Sequence, residues 1–391
     1  MKYLLALLLV LPLCAESFDD FLKDDSSSFN QEKASFDKDL KVLNKAFQSY
    51  QNIINEEFNA YKKSLGRFWS EPKISTKKQW VEHSADLQKR KIVDFENNTI
   101  TIEVHAKDLS QARKSIAKEL IDTVTKDTKD AFNDDHLTQR VEKRLKNAKK
   151  AAIVRNPILA PSIFTSPPSI KESISYAKKK IQQNPIRKVD SKIPNLNRYA
   201  FKVKMPKNSV IKRSRLYIDV AKREAKRFEI PVALVMAVIQ TESGFNPMAR
   251  SHIPAYGLMQ IVPRSAGMDV YRHLYGKRKI LSPSFLYNAN NNIKFGTAYL
   301  SILYYKYLKK VKDPQSRLYC AIAGYNTGAG NVARAFTGRT NPNKAAPYIN
   351  RKSPKEVYNH LIRNLKYHEA RRYLKTITSR IGVYQKLYGR S

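Results

Sequence analysis

Apolar residues recur at spacings of three and four through Phe36, Leu40, Leu43, Phe47, Tyr50, Ile54, Phe58 and Tyr61. The stretch from Phe18 to about Leu65 therefore predicts one or two amphipathic helices with solvated charged faces. The period then changes to two: Lys91-Ile92-Val93-Asp94-Phe95 and Thr99-Ile100-Thr101-Ile102-Glu103-Val104 alternate on either side of Asn97-Asn98, which predicts a β-hairpin. Helical spacing returns from Leu109 to about Lys150, so residues 16–150 read as a small α+β domain. Between residues 151 and 195 the chain is interrupted by Pro157, Pro161, Pro167, Pro168, Pro185 and Pro194, with room for one helix from Ser169 to Gln183. This stretch reads as a linker, although Ile158, Leu159, Ile163 and Phe164 leave open that it packs along the next domain. From Ser214 onward the pattern is helix after helix: Leu216 to Phe228, Pro231 to Glu242, Asn291 to Tyr307, Arg317 to Tyr325, Lys355 to Asn364 and Glu369 to Leu387. Residues 196–391 are thus expected to form an all-α domain.

One carboxylate breaks the rule that apolar stripes carry apolar side chains. Glu242 continues the stripe formed by Leu234, Val235, Val238 and Ile239, in a helix that opens at Pro231 and stops at Gly244 and Pro247. Burial there disfavours the charged form, and the negative end of the helix dipole acts in the same direction, so its pKa is expected to be raised. A glutamate that keeps its proton near neutral pH is what general-acid chemistry needs. Alone, a glutamate at that place would read as a cap or an ion-pair partner. It is followed, however, by Tyr256-Gly257-Leu258-Met259-Gln260, by Ala323-Gly324-Tyr325-Asn326 and by Glu369-Ala370-Arg371-Arg372-Tyr373. Each segment sets polar groups beside Gly, aromatic or small residues, as the walls of one site would.

This set, in this order, resembles the family 1 lytic murein transglycosylases, and within them the membrane-bound C type. The closer likeness rests on Ser265-Ala266-Gly267-Met268-Asp269-Val270, on Asn292-Ile293-Lys294-Phe295-Gly296-Thr297-Ala298-Tyr299-Leu300 and on Arg371-Arg372-Tyr373. It covers residues 210 to 390 strongly, and the upstream part more weakly through Tyr199-Ala200-Phe201-Lys202-Val203. The resemblance implies a goose-type lysozyme-like fold for the helical domain, preceded by an α+β domain of the C type. It also implies cleavage of peptidoglycan by a single glutamate, Glu242, acting as acid and then as base to leave 1,6-anhydromuramoyl ends. Gly257 would let the backbone approach a sugar, Met259 would pack on its face, and Gln260 would supply a two-way amide. Tyr325 and Asn326 would offer a ring and an amide, with Gly324 standing where the family more often has Ala. Tyr373 would orient Glu242, Ser243 would bond the sugar or Glu242, and Tyr256 would support the floor.

Ordinary glycosidases use two carboxylates. After Glu242 the acidic residues are Asp269, Asp313, Glu356 and Glu369, and none sits in an apolar stripe beside Gly or aromatic residues. Asp269 and Glu369 read as structural groups that cap or pair with Arg272 or Arg372. A muramidase on the same fold would need a water-positioning acid, and a wall-binding scaffold would not need Glu242. Since the motifs all lie downstream, a fragment beginning near Asn195 is expected to fold alone.

Composition narrows the partners. The net charge of +38 and pI near 10.0 imply attraction to something anionic. The basic residues are spread along the whole chain, and no zinc-binding spacing or RNA-recognition signature accompanies them, which argues against nucleic acid. Peptidoglycan carboxylates, an anionic membrane surface or proteins of the cell wall fit as partners. Lys2, the apolar run Tyr3 to Leu13 and Ala15 read as a signal peptide over residues 1–15, hence export to the periplasm. Cys14 leaves an outer-membrane lipid anchor open, although Leu13 stands where such signals carry a small residue. With two cysteines in all, Cys14 and Cys320, and Cys14 removed or acylated, no internal disulfide is expected. Cys320 reads as a core residue. No His and Cys cluster has ligand spacing, so neither metal nor other cofactor is expected.

Overall fold

The computed structural model describes residues 28–252 and 254–389. The expected signal peptide and Cys14 lie outside them. No helix among the described residues is long and apolar enough to cross a membrane.

The amphipathic pattern at the start becomes one long helix, Ser28–Leu65. Its apolar stripe of Phe47, Tyr50, Ile54, Phe58, Tyr61 and Leu65 is buried against Trp69 and against Leu137, Val141 and Leu145 of and beside the helix His136–Arg144. The expected hairpin forms strands β2 (Lys89–Asp94) and β3 (Thr99–Ala106), preceded by β1 (Gln79–His83). Two further strands, β4 (Ile186–Val189) and β5 (Asn197–Lys204), complete an antiparallel sheet of order β1-β2-β3-β5-β4. Here β3 pairs with β5 so that Ile102 faces Phe201 and Ile100 faces Val203.

The stretch 151–195 is therefore more than a connection. Its helix Ile170–Gln183, opened by a Ser169–Glu172 capping box, packs on the helix Leu109–Thr125, and its β4 lies on the edge of the sheet. The prolines at 185 and 194 flank β4 rather than dissolve it, as edge strands allow. The sheet also reaches past position 195, since β5 begins at Asn197.

The remainder is helical. The helices Ile218–Arg227, Val232–Ser243, Ala289–Ser301, Pro314–Thr327, Pro354–Asn364 and His368–Tyr388 form the body of this part. The helix expected from Asn291 to Tyr307 runs as Ala289–Ser301 and then widens into a π-helical turn over Ile302–Tyr307. An N-terminal α+β region and a mostly helical C-terminal region thus match the expected fold class at that level. One core runs through both: Trp80, Phe95, Ile102 and Phe201 belong to the same buried cluster as Val235, Val238, Phe295 and Leu374.

Candidate active site

The helix Val232–Ser243 is apolar nearly all round, so it is buried as the centre of the helical region, with the helix His368–Tyr388 against it. It ends because Gly244 adopts a left-handed backbone (φ 65°) and its N–H closes on the Gln240 carbonyl at 3.0 Å. Glu242 sits in that last turn with 6% exposure. Its pKa is raised, chiefly by burial, and the rise is opposed by the Lys77 ammonium, by Tyr373 and by Lys78, while Glu369 adds to it.

The α+β region reaches directly into this turn. Lys78 Nζ donates to the carbonyl of Gln240 (2.8 Å), which also takes the Gly244 N–H, and to that of Thr241 (2.7 Å), at the end of the helix where carbonyls run short of intrahelical partners. Burial lowers its pKa to about 8. Lys77 Nζ lies 3.9 Å from Glu242 Oε2 and 3.5 Å from Glu369 Oε1. Arg380 donates to Thr241 Oγ1 at 2.7 Å, and the Tyr384 hydroxyl to Gln240 Oε1 at 3.0 Å. The fully buried Arg213 bridges the two regions, donating to the Gly244 carbonyl, the Phe95 carbonyl and Asn98 Oδ1, each at 3.3 Å. A Cβ on Gly244 would stand 3.3 Å from that of Phe95, so the β2–β3 turn is packed hard against the glutamate turn.

Tyr373 and Tyr325 lie beside Glu242, and Tyr325 reaches from there to the segment that carries Gln260. The Tyr373 hydroxyl is buried beside the carboxylate and holds its pKa down, yet closes no full hydrogen bond of its own. Tyr325 donates to the Met259 carbonyl at 2.8 Å, stacks obliquely on Tyr299, and has its pKa raised by burial and by the charge of Glu242. Half-buried Asn326 follows it in the same helix. Gln260, with a left-handed backbone (φ 49°), spends its NH2 on the Gly257 carbonyl at 2.9 Å and leaves Oε1 buried and unpaired. The Tyr373 hydroxyl beside Glu242 is likewise buried without a partner.

Other expected site residues hold up the site instead of facing it. Ser243 is fully buried: its hydroxyl donates to the Ile239 carbonyl at 3.0 Å and accepts from the Phe245 N–H at 3.1 Å, so it secures the turn. Tyr256 is in the core, its hydroxyl 3.5 Å from that of Tyr50 on the long N-terminal helix. Met259, fully buried, occupies the notch left by Gly296, where a Cβ would meet its sulfur at 2.3 Å. Gly257 does permit a close approach, but to protein. Its φ is +75° and a Cβ would meet Asn292 Nδ2 at 2.4 Å and the Leu286 carbonyl oxygen at 2.5 Å. That amide binds the carbonyls of Tyr256 and Leu286, both at 2.7 Å, and accepts from the Met259 N–H at 2.7 Å. Gly257→Ala is thus expected to cost about 3 kcal/mol of stability through backbone strain and a lost amide network; a thermal midpoint within a degree of wild type would contradict this.

The sequence reading missed Lys77 and Lys78. They lie more than a hundred and sixty residues from the carbonyls and carboxylate they touch, next to a short strand, and no local pattern marks them. Asp269 is also more than a pairing group: burial pushes its pKa up to about 6 although the Tyr307 hydroxyl donates to it at 2.9 Å. Cys320 is fully buried, and burial pushes its thiol up to about 12, as a core residue requires.

Residues 219–347 match the family described as the transglycosylase SLT domain. The resemblance to the lytic murein transglycosylases is thereby shown. The matched span holds Glu242, Gln260, Tyr325 and Asn326, and it excludes Lys77 and Tyr373. Membrane-bound lytic murein transglycosylase C of Salmonella arizonae is 40% identical over 188 residues, covering 48% of this chain and 51% of that protein. The protein of the same name from Klebsiella pneumoniae is 39% identical over 192 residues, covering 49% and 51%. The chain thus spans about half the length of the curated relatives it matches. Among solved structures, the 70 kDa soluble lytic transglycosylase SLT70 of Escherichia coli is similar at 24% identity with a TM-score of 0.35, covering 46% of this chain and 26% of that one.

Proposed function

We propose that this chain is a peptidoglycan lytic transglycosylase, acting on the β-1,4 bond between N-acetylmuramic acid and N-acetylglucosamine. The observation that carries the reading is the Glu242 carboxyl, buried, raised in pKa and set beside Tyr373, Tyr325 and Lys77. We read the helical region as the goose-type lysozyme-like fold and the glycan strand as the partner, bound by Tyr325, Asn326 and Gln260. The high positive charge suits an anionic wall or membrane surface, and the bacterial envelope is the compartment that substrate implies.

Glu242 donates its proton to the glycosidic oxygen as the bond from the muramoyl C1 breaks, and the N-acetylglucosamine side leaves as an alcohol. The muramoyl C6 hydroxyl attacks C1 of its own ring and gives its proton to the Glu242 carboxylate. The proton account closes on one residue, and no water is consumed. An internal hydroxyl held near C1 has a large advantage over bulk water.

The structure also brings Glu369 across Lys77 from Glu242, closer to the site than its sequence context suggested. That observation favours a second reading, a muramidase in which Glu369 activates water. Against it, Glu369 is mostly exposed and paired with Lys77. Under the transglycosylase reading Glu369→Gln still yields anhydro ends.

Digestion of purified sacculi across pH tests the assignment of the acid. Activity is expected to fall on the alkaline side, where Glu242 loses its proton before it can act, and on the acid side, where it cannot take one up. Because burial raises its pKa, the alkaline limb lies above the ordinary glutamate range. A profile that is flat through that limb would remove Glu242 as the acid.

A further inference from the structure

A one-carboxylate mechanism leaves an electrostatic gap. When Glu242 gives up its proton it becomes an anion in a buried turn at the negative end of a helix, both of which disfavour it. Something must hold that anion until it takes up the C6 proton. The helical region supplies Tyr373 and Tyr325, which are neutral, Glu369, which is negative, and Arg380, whose guanidinium bonds the neighbouring Thr241 hydroxyl.

The cation comes from outside the matched family span. Thr76 fixes the segment that carries it: its hydroxyl accepts the N–H groups of Lys78 (3.3 Å) and Gln79 (3.1 Å), and its carbonyl accepts the Arg250 N–H at 3.3 Å, from the loop after the glutamate helix. The Lys78 carbonyl is held by the Phe95 N–H at 2.8 Å, and its ammonium is anchored on the carbonyls of Gln240 and Thr241. With its neighbours pinned on both sides, Lys77 has its ammonium between two carboxylates, 3.9 Å from Glu242 and 3.5 Å from Glu369.

We propose that the α+β region completes the active site, with Lys77 as the charge partner that stabilises ionised Glu242 and Glu369 as the residue that sets how much of that charge Glu242 receives. Lys78 is the positioning residue that fixes the turn. This inference rests on Glu242 being the acid of the proposed reaction. It makes the N-terminal region a part of the catalytic machinery.

The groups facing Glu242 are Lys77 and Lys78 from the segment before β1, Tyr325 from the helix Pro314–Thr327, and Tyr373 and Glu369 from the closing helix, with Arg380 of that helix on the adjoining Thr241 hydroxyl. Removing Lys77 takes away a positive neighbour, so the ionised form becomes less favourable and the alkaline limb moves to higher pH. Removing Glu369 takes away a negative neighbour and frees Lys77, so the limb moves to lower pH. The opposite signs are the signature, because a merely structural loss would not produce them.

The test compares full-length wild type, Lys77→Met, Lys77→Arg and Glu369→Gln on purified sacculi across pH, with thermal unfolding of each. Lys77→Met is expected to lose about tenfold in turnover at neutral pH, an effect of the size one nearby charge exerts on a barrier. Its limb should move alkaline with little change in unfolding temperature, Lys77→Arg should restore both, and Glu369→Gln should move the limb the other way. Superimposable profiles, or shifts of the same sign for Lys77→Met and Glu369→Gln, would overturn the proposal. Wild-type products read on the same digests keep the two claims apart. Reducing ends with shifted limbs would remove the transglycosylase reading and leave the role of Lys77 standing, whereas anhydro ends with unshifted limbs would do the reverse.

Discussion

Glu242→Gln is expected to reduce turnover of sacculi by at least about a thousandfold, because the amide keeps the shape of the side chain but can neither give the glycosidic oxygen its proton nor take up that of the C6 hydroxyl. The fold should not suffer. Burial raises the folded-state pKa of Glu242, so its favourable contribution is complete below the unfolded glutamate value, about 4.3, and is lost as pH rises through the raised folded value. Above that raised value the wild type carries an anion in a desolvated turn, and there Glu242→Gln is expected to unfold at the same temperature or higher. Glycan binding should persist, since Tyr325, Asn326 and Gln260 remain in place. Retained activity above a few per cent would mean that another residue is the acid. Collapse of the fold would mean that the ion pair with Lys77 is worth more to stability than a half-exposed partner normally is.

A fragment beginning at Asn195 is expected to give no soluble enzyme, the reverse of what the placement of the motifs suggests. Its first strand, β5, would lose β3 on one side and β4 on the other, leaving Phe201 and Val203 without their cover of Ile102 and Ile100. Arg213 would be left buried near Gly244 without the Phe95 carbonyl and Asn98, and the Gln240 and Thr241 carbonyls would lose Lys78. Unpaired strand edges and buried groups stripped of their partners are both severe penalties. Soluble expression and thermal unfolding of the purified fragment are the measurements. A monomer that melts cooperatively would show that the shared core is dispensable.

The parts of this fold that were legible are those whose pattern is local. The long first helix, the β2–β3 hairpin and the helices of the second half each announce themselves by apolar spacing, and Glu242 stands out because its own helix places a carboxylate in an apolar stripe. The joins between regions were not legible. Strand β4, with Arg187 and Lys188 exposed and a proline just before it, has no strand-like alternation, and β5 finds its partner about a hundred residues upstream. The glycine of the Tyr256-Gly257 pair read as an opening for a sugar, when the space it leaves is filled by an asparagine from another helix. Ser243 read as a polar group beside the acid, but a hydroxyl in a last helical turn can bond the preceding carbonyl, and this one does. Lys77 and Lys78 were lost among many lysines, because only the folded chain brings them to the end of the glutamate helix.

The central claim is that one buried carboxylate performs both proton transfers, and that the attacking group is the sugar's own hydroxyl. Mass analysis of the muropeptides released from purified sacculi by the full-length protein tests it most directly. The account predicts 1,6-anhydromuramoyl ends, each lighter by one water than the product of hydrolysis, at every cut. Muropeptides ending predominantly in reducing muramic acid would contradict it, and would leave Glu369 and a water molecule to be explained instead.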